Sequence, residues 1–554
     1  MPRFVCLSPY KNKKGKIPHK GIFPLTLKLF AFQHVFVKCV LLTVFLFVVS
    51  CQSQPLVSPQ KGGTLRVLVN EAFADLNPFY NHSTYSAHIQ ELIFDKIIYI
   101  DQSGQIKPAL AQTWALSADG LKWTFTLHPN ILFQDNLPLT TQDVLFTLET
   151  VKKIGGVFQS VTNNIESIKA IDDQTFEIAL TKPDQTFPLF LRTLLIVPAH
   201  VYNQEGHLNP GFTSPIGSGP FSLQSFKNDQ VILQANRKYF DTAPYIDKAE
   251  FIFIKDNSVA LSELISGKID FQAFFDPQHE AVLTNLPHIN FLDSSTWLLF
   301  GIFFNTQNPL FQQKEVRQAI NATINKEAIL KYSALQNNSL VASSTVSPNS
   351  FYFNHEISPY PFDMKQAEKL FQSNGWTRDK NGFLTKNNQI FEFELMVPEG
   401  WYLTQKVLSQ ILMNFSNMGI KVNIRYMPMN DVIQKICVEK KFDTVFIHYS
   451  SELDLLSSEL FWSDPSHSPY NFTSYINKEA NDLLQASINS KSIQELGDSY
   501  KKFQWVIHED PPLIYLFWLK FPLFYNKRVH GITADTFSNF GQIKNLWISN
   551  ENIQ

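Results

Sequence analysis

The stretch from Gln105 to Val151, QIKPALAQTWALSADGLKWTFTLHPNILFQDNLPLTTQDVLFTLETV, constrains the fold more than any other part of this chain. Asp119-Gly120 is a turn pair. Trp123, Phe125 and Leu127 alternate with Thr124, Thr126 and His128, the period of two that a strand with one buried face requires. Ile131 to Phe133 reads as a second short strand, ended by Asp135-Asn136 and Pro138. Thr140, followed three residues later by Asp143, has the pattern of a helix N-cap with an acid in the first turn. Val144, Leu145, Leu148 and Val151 then share one helical face. The segment reads as hairpin, turn and capped helix.

The surrounding chain sets the scale. With 554 residues it has room for two to four folding units. A composition of 44% hydrophobic and 17% charged residues is that of a globular protein and excludes a disordered one. The net charge of −2, with no long basic run in the body, gives no nucleic-acid footprint. The charge is uneven, however. Eight Lys or Arg and no acid precede Cys51, which leaves 39 basic against 49 acidic residues in the remainder. A basic leader in front of an acidic body is the asymmetry of a targeting segment.

Cys39 to Ser50 is an apolar run behind Lys38. It is shorter than the roughly twenty residues of a membrane-spanning helix and reads as the core of a signal peptide. The stretch before Lys38 is longer than a usual signal, and the next methionine after Met1 is Met364. The expectation is either a mis-assigned start or an unusually long basic leader. Val48-Val49-Ser50-Cys51 resembles a bacterial lipobox, which implies that Cys51 is acylated and that Gln52 to Lys61 forms a flexible tether. Cys6 and Cys39 fall in the leader, so Cys437 is the one thiol left and no internal disulfide is expected. Flanked by Ile433 and Ile436, Cys437 reads as a small buried hydrophobe.

Leu110-Ala111, Trp114, Asp119-Gly120, Trp123, Phe125, Leu127, Phe133, Asp135 and Asp143-Val144 follow the order and spacing found in the family 5 extracellular solute-binding proteins, the oligopeptide and dipeptide receptors of ABC importers, and the chain resembles that family here. Asn136 stands where the family usually has Gly, a residue type that also tolerates a positive φ. The likeness continues through Gly62-Gly63-Thr64-Leu65, Leu76-Asn77-Pro78, Pro215 to Phe221, Asn236, Tyr239-Phe240-Asp241, Phe303 to Thr306, Val316 to Ile320 and Asn325-Lys326. It extends through Tyr360 to Trp376 and Pro511 to Leu516, and so covers about Gly62 to Ile532. On its own, Gly217-Ser218-Gly219 reads only as a tight turn. From Phe391 to His448, strands and helices alternate in α/β fashion, with strands at Phe391–Val397, Ile420–Tyr426 and Thr444–His448.

The resemblance implies an α/β, two-lobed, type II periplasmic-binding-protein-like fold of the three-domain variant, with the ligand cleft between lobes. The expected division is a leader at 1–50, a lipidated Cys and tether at 51–61, and a domain I built from 62–95, 211–298 and 506–554. Domain II takes 96–210, and domain III, the second lobe, takes 299–505. The resemblance also implies that a peptide is held by its backbone as an added strand, its free amine on an acid. His448-Tyr449-Ser450-Ser451-Glu452 aligns with the family's Gly-Trp-x-x-Asp, which nominates Tyr449, Ser450, Ser451 and Glu452, with Asp454 as the alternative acid. On the first lobe, His82, Ser83 and Thr84 follow Leu76-Asn77-Pro78 in a loop that meets the ligand backbone. A solvated polar loop is the ordinary alternative for both sets.

The sequence holds no HExxH, no CxxC pair, no GxSxG elbow and no P-loop, and its 14 His residues show no paired ligand spacing. His207, His279, His288 and His467 read as surface or satisfied histidines. No catalytic residue, cofactor or metal is expected. The expectation is a lipid-anchored monomer on the outer face of the cytoplasmic membrane, handing short peptides to ABC permease subunits. The alternative is the same receptor carrying haem, a nickel chelate, glutathione or another small solute.

Overall fold

Thr140 opens its helix as its spacing requires. In the computed structural model, which describes residues 58–549 apart from 70, 74, 81–83, 101–105, 156–158, 185–186, 210–211, 273–279, 281, 336, 400–402, 451–454, 466–467, 469, 491–492, 535 and 537–539, a capping box precedes the helix Thr141–Ile154. Thr140 caps the first turn, and Asp143 Oδ2 accepts the Thr140 N–H at 2.9 Å. Val144, Leu148 and Val151 are buried on one face. The strand Lys122–Leu127 buries Trp123, Phe125 and Leu127 and leaves the Thr positions half-buried. The second short strand expected at Ile131 to Phe133 is reduced to an isolated antiparallel bridge between Leu132 and Pro138. Phe133 N–H instead donates to Leu137 O at 2.8 Å, closing a tight loop in which Asn136 takes φ +70°.

The hairpin belongs to a four-stranded antiparallel sheet in the spatial order 111–116, 122–127, 175–180, 165–170. Its core runs from Ile97 to Ile196 and includes Phe125, Phe176, Phe187 and Phe190. The main body, Pro59–Gln554, is otherwise organised by an eleven-stranded mixed sheet. In spatial order its strands are 421–427, 392–398, 444–450, 289–304, 513–526, 271–272, 64–69, 248–253, 230–235 and 221–227, with 339–341 also paired to 513–526.

Two strands of this sheet are long. Ile289–Phe304 and Leu513–Asn526 pair antiparallel from Ile289↔Asn526 to Phe303↔Leu513. At one end they join a core of Leu65, Val67, Phe221, Val231, Phe251 and Leu523. At the other they separate two cores on opposite faces, one with Phe300, Ile302, Phe393 and Phe446, the other with Leu299, Phe303, Val445 and Tyr515. The ladder is interrupted between Asp293↔Pro522 and Trp297↔Lys520, where residues 294–296 stand opposite residue 521 alone. Proline cannot donate to a ladder, and a bulge bends and loosens one. The two lobes therefore meet at this break. Leu513–Leu519 pack in the two cores at one end of the long strands, and Leu523 packs in the core at the other.

A buried junction explains why the turn at 217–219 is written with glycines. A Cβ at Gly217 would lie 2.0 Å from Ile93 O, and one at Gly219 2.6 Å from Leu92 O. Gln134 fastens the same place, accepting from Gly217 N–H at 3.1 Å and donating to Phe221 O at 2.7 Å. Asp95 receives Ser218 Oγ at 2.8 Å and the Tyr239 hydroxyl at 2.7 Å. Burial raises the Asp95 carboxyl, and those two hydrogen bonds with the Lys544 charge pull the other way. Asn77 does similar work in its own loop, donating to His207 O at 3.2 Å and Asn209 O at 2.9 Å.

Candidate functional site, the interlobe crevice

Parallel strands place the site. In the first lobe, Thr64–Val69 runs parallel to Lys248–Phe253 and Phe271–Gln272. In the second, Glu392–Pro398 runs parallel to Lys421–Met427 and Thr444–Ser450. Their carboxyl ends converge on the break in the long strands. Gln272 pairs with Phe524, two residues from Pro522, and Ser450 pairs with Leu298, next to Trp297. In open α/β sheets, ligands bind in the crevice outside the carboxyl ends of such strands. Here two sets of ends face one crevice, whose floor is the pair of crossing strands.

The strand Thr444–Ser450 carries the candidates of the second lobe. Ser450 is its last residue. Ser451, Glu452 and Asp454 lie at 451–454, outside the described residues, between this strand and the helix Leu455–Trp462. Tyr449 is half-buried, and its hydroxyl donates to Thr345 O at 2.9 Å while its ring meets Phe303 edge-on at 6.0 Å. Burial raises the phenol well above its ordinary value, so it titrates in no physiological range. On the first lobe, His82 and Ser83 lie outside the described residues, and Thr84 is the first residue of the helix Thr84–Ile93. Cys51 likewise lies outside them.

Sequence reasoning passed over His448. It sits one residue before Tyr449 on the opposite face of the sheet, exposed, with its ring 4.8 Å from that of Phe300, which in turn stacks on Phe517 at 5.1 Å. Desolvation by the neighbouring protein lowers the imidazole from its ordinary value. The signal available was its place near the carboxyl end of a strand. Outside the crossing strands, a polar contact bridges the lobes: Asn338 Nδ2 donates to Glu280 Oε2 at 3.4 Å. Burial raises the Glu280 carboxyl, as does the nearby Asp293 charge, while Asn338 opposes the rise. Among the described residues, no group of three or more His, Cys, Asp or Glu is arranged to hold a metal ion, and no helix is long and apolar enough to cross a membrane.

A family model described as bacterial extracellular solute-binding proteins, family 5 Middle, matches residues 105–481. The chain belongs to this family. Relatives that bind quite different ligands resemble it to similar degrees. The oligopeptide-binding protein AppA of Bacillus subtilis is 25% identical over 478 residues, 83% of this chain and 87% of AppA. Its structure in complex with a nonapeptide superposes with a TM-score of 0.78 at 22% identity, covering 89% of this chain and all of AppA. Heme-binding protein A of Haemophilus influenzae is 24% identical over 78% of this chain and 82% of its own length. NikZ from Campylobacter jejuni, solved in complex with Ni(L-His), superposes with a TM-score of 0.77 at 27% identity, over 85% and 95% of the two chains. The two-lobed α/β fold of family 5 is therefore the fold of this protein, and it serves binding for ABC import, a transport role.

Proposed function

We propose that this family 5 protein is a lipid-anchored receptor that captures short peptides in the interlobe crevice and hands them to the permease of an ABC importer. The peptide backbone is bound as an added strand, and its α-amine pairs with Glu452, or with Asp454. The observation that carries this reading is where the strand Thr444–Ser450 stops. It ends beside the crossing strands, so the acidic segment that follows begins at the crevice. Tyr449, Ser450 and Ser451 supply the main chain on that side, and His82, Ser83 and Thr84 the facing loop. The division into domains I, II and III at the boundaries given above belongs to the same proposal, with the return to domain I moved to about Pro522. Acylation of Cys51, monomeric state and residence on the outer face of the cytoplasmic membrane complete it. One acyl chain holds a membrane marginally and two or more hold it stably.

An oligoalanine series isolates backbone and amine recognition from side-chain preference. Removing the carboxylate from a buried ion pair costs roughly 3–5 kcal/mol. Glu452→Gln in the full chain is expected to weaken oligoalanine binding by orders of magnitude in calorimetry, with the melting temperature unchanged. If Glu452→Gln binds as the wild type does and Asp454→Asn does not, the amine role passes to Asp454. If neither variant loses affinity, amine capture at this loop is wrong.

The second reading keeps the receptor and changes the cargo to a chelate, haem, glutathione or another small solute. It is favoured by His448, an imidazole exposed beside the crevice, and by relatives named for heme and solved with Ni(L-His). Native mass spectrometry of the gently purified protein separates the two. A ladder of short peptides supports the first reading, and one discrete adduct the second.

A further inference from the structure

Gln272 ends the short strand Phe271–Gln272, between Leu68 on one neighbouring strand and Phe524 on the other. Side chains opposite one another share a face, so Gln272 points with Leu68 and Phe524 towards the small core of Leu264, Ile269, Leu283 and Ile289. It is fully buried, and neither its Nε2 nor its Oε1 has a hydrogen-bond partner among the described residues. Burying an amide with both ends unpaired costs stability, and a methionine of the same length would fill the space without that cost.

Its polar neighbours are accounted for differently. Asp270, two residues earlier on the same face, is just as buried, but it receives Arg528 Nε at 2.6 Å and the Arg66 N–H at 3.0 Å. Asn526, opposite Asp270, accepts the Arg528 N–H at 3.1 Å, leaving its Nδ2 unpartnered. Gln272 alone of the three has no partner at either end, and it ends its strand opposite Phe524, two residues from Pro522 at the break in the long strands.

We infer that Gln272 is a ligand-contacting residue of the first lobe. When a ligand enters, the amide leaves the small core past the end of its strand and bonds the main chain of one extended ligand residue. Nε2 donates to the ligand carbonyl and Oε1 accepts from the ligand N–H. On one edge a primary amide presents a donor beside an acceptor, which is the complement of the N–H and C=O that one residue of an extended strand turns to the same side, whatever its side chain. The side chain's three rotatable bonds give it the reach. An amide with no internal partner gives up no hydrogen bond on binding, so all of the new bonding counts towards affinity. This inference rests on the peptide-receptor reading and adds a first-lobe contact to it.

The test is Gln272→Met in the full chain, with oligoalanine peptides as the probe, ligand-free melting temperature as one readout and calorimetric affinity as the other. The expected result is a higher ligand-free melting temperature together with about a tenfold or greater loss of affinity, the scale of two neutral hydrogen bonds. Unchanged affinity overturns the inference, whichever way the melting temperature moves. A loss of affinity accompanied by a lower melting temperature overturns it too, since that is damage to the lobe. The two failures are separable. If the wild type itself binds no oligoalanine peptide and carries none after purification, the peptide reading fails and this inference with it. Peptides bound equally by wild type and Gln272→Met remove the inference alone.

Discussion

Lys326 carries its ammonium into the interior of the second lobe, where it is 3% exposed and pairs with no carboxylate among the described residues. Nζ donates to Asn321 O at 2.9 Å and Tyr360 O at 3.2 Å, and burial pushes the amine down to about 7. The folded value lies below the unfolded one, so between roughly pH 7 and 10.5 the unfolded chain binds a proton that the folded chain does not. Stability from this group is therefore gained as pH rises through that window and is absent below it, by as much as about 5 kcal/mol. Denaturant titrations at pH 7 and pH 9.5 are expected to show this gain in the wild type and not in Lys326→Met. A slope shared by both proteins would assign it elsewhere. His508, nearby, acts in the acid range for the same reason. Burial holds it down to about 4, so stability present above pH 6.5 is lost as pH falls towards 4. Cys437 is half-buried against the second-lobe core, and burial raises its thiol, which leaves it unreactive at neutral pH.

Among elements, the junction of the turn 215–221 with the end of the helix Thr84–Ile93 tolerates least. Gly217→Ala would drive a Cβ to 2.0 Å from a main-chain oxygen, and neither backbone can yield without breaking the Gln134 hydrogen bonds. Overpacking of this kind costs about 1–3 kcal/mol or more, so Gly217→Ala is expected to lower the denaturant midpoint clearly. Loss of stability below the error of that measurement would mean that the junction opens without cost. This junction also shows why part of the fold was legible in sequence. Gly217, Ser218, Asn236 and Tyr239 are separate motifs along the chain because they meet at Asp95 and the helix end, a place where close approach and hydrogen bonding admit few residue types. Local pattern failed at Ile131 to Phe133. Three apolar residues in a row satisfied a strand's composition, but the nearby turn took their main-chain bonds into a loop.

At the scale of the whole molecule, the two long strands act as both floor and flexible link. Between Asp293↔Pro522 and Trp297↔Lys520 the ladder loses its pairing, so rotation there breaks few hydrogen bonds, while each lobe keeps its own cores. A saturating oligoalanine ligand is expected to reduce the radius of gyration in solution scattering, as hinge closure on a ligand does. Binding without compaction would show that the lobes are already closed or do not move. The Glu280–Asn338 contact, which already spans the lobes, would then be a fixed strut.

By itself the sequence determined the local elements and the family. The periods in Trp123–Leu127 and Val144–Val151, the cap at Thr140 and the spacing of turn residues each depend on neighbours a few residues away, and those interactions are written in the chain. The same holds for the alternating strands from Glu392 to Ser450, whose boundaries shifted by one or two residues. Only the tertiary structure decided the lengths of Ile289–Phe304 and Leu513–Asn526. Those strands are apolar on both faces over most of their length, and a continuous apolar run carries no period to read. Only the tertiary structure, too, singled out Gln272 and His448. What distinguishes them is an unpaired amide and an exposed ring at the ends of parallel strands, and both properties arise from residues far away in the chain.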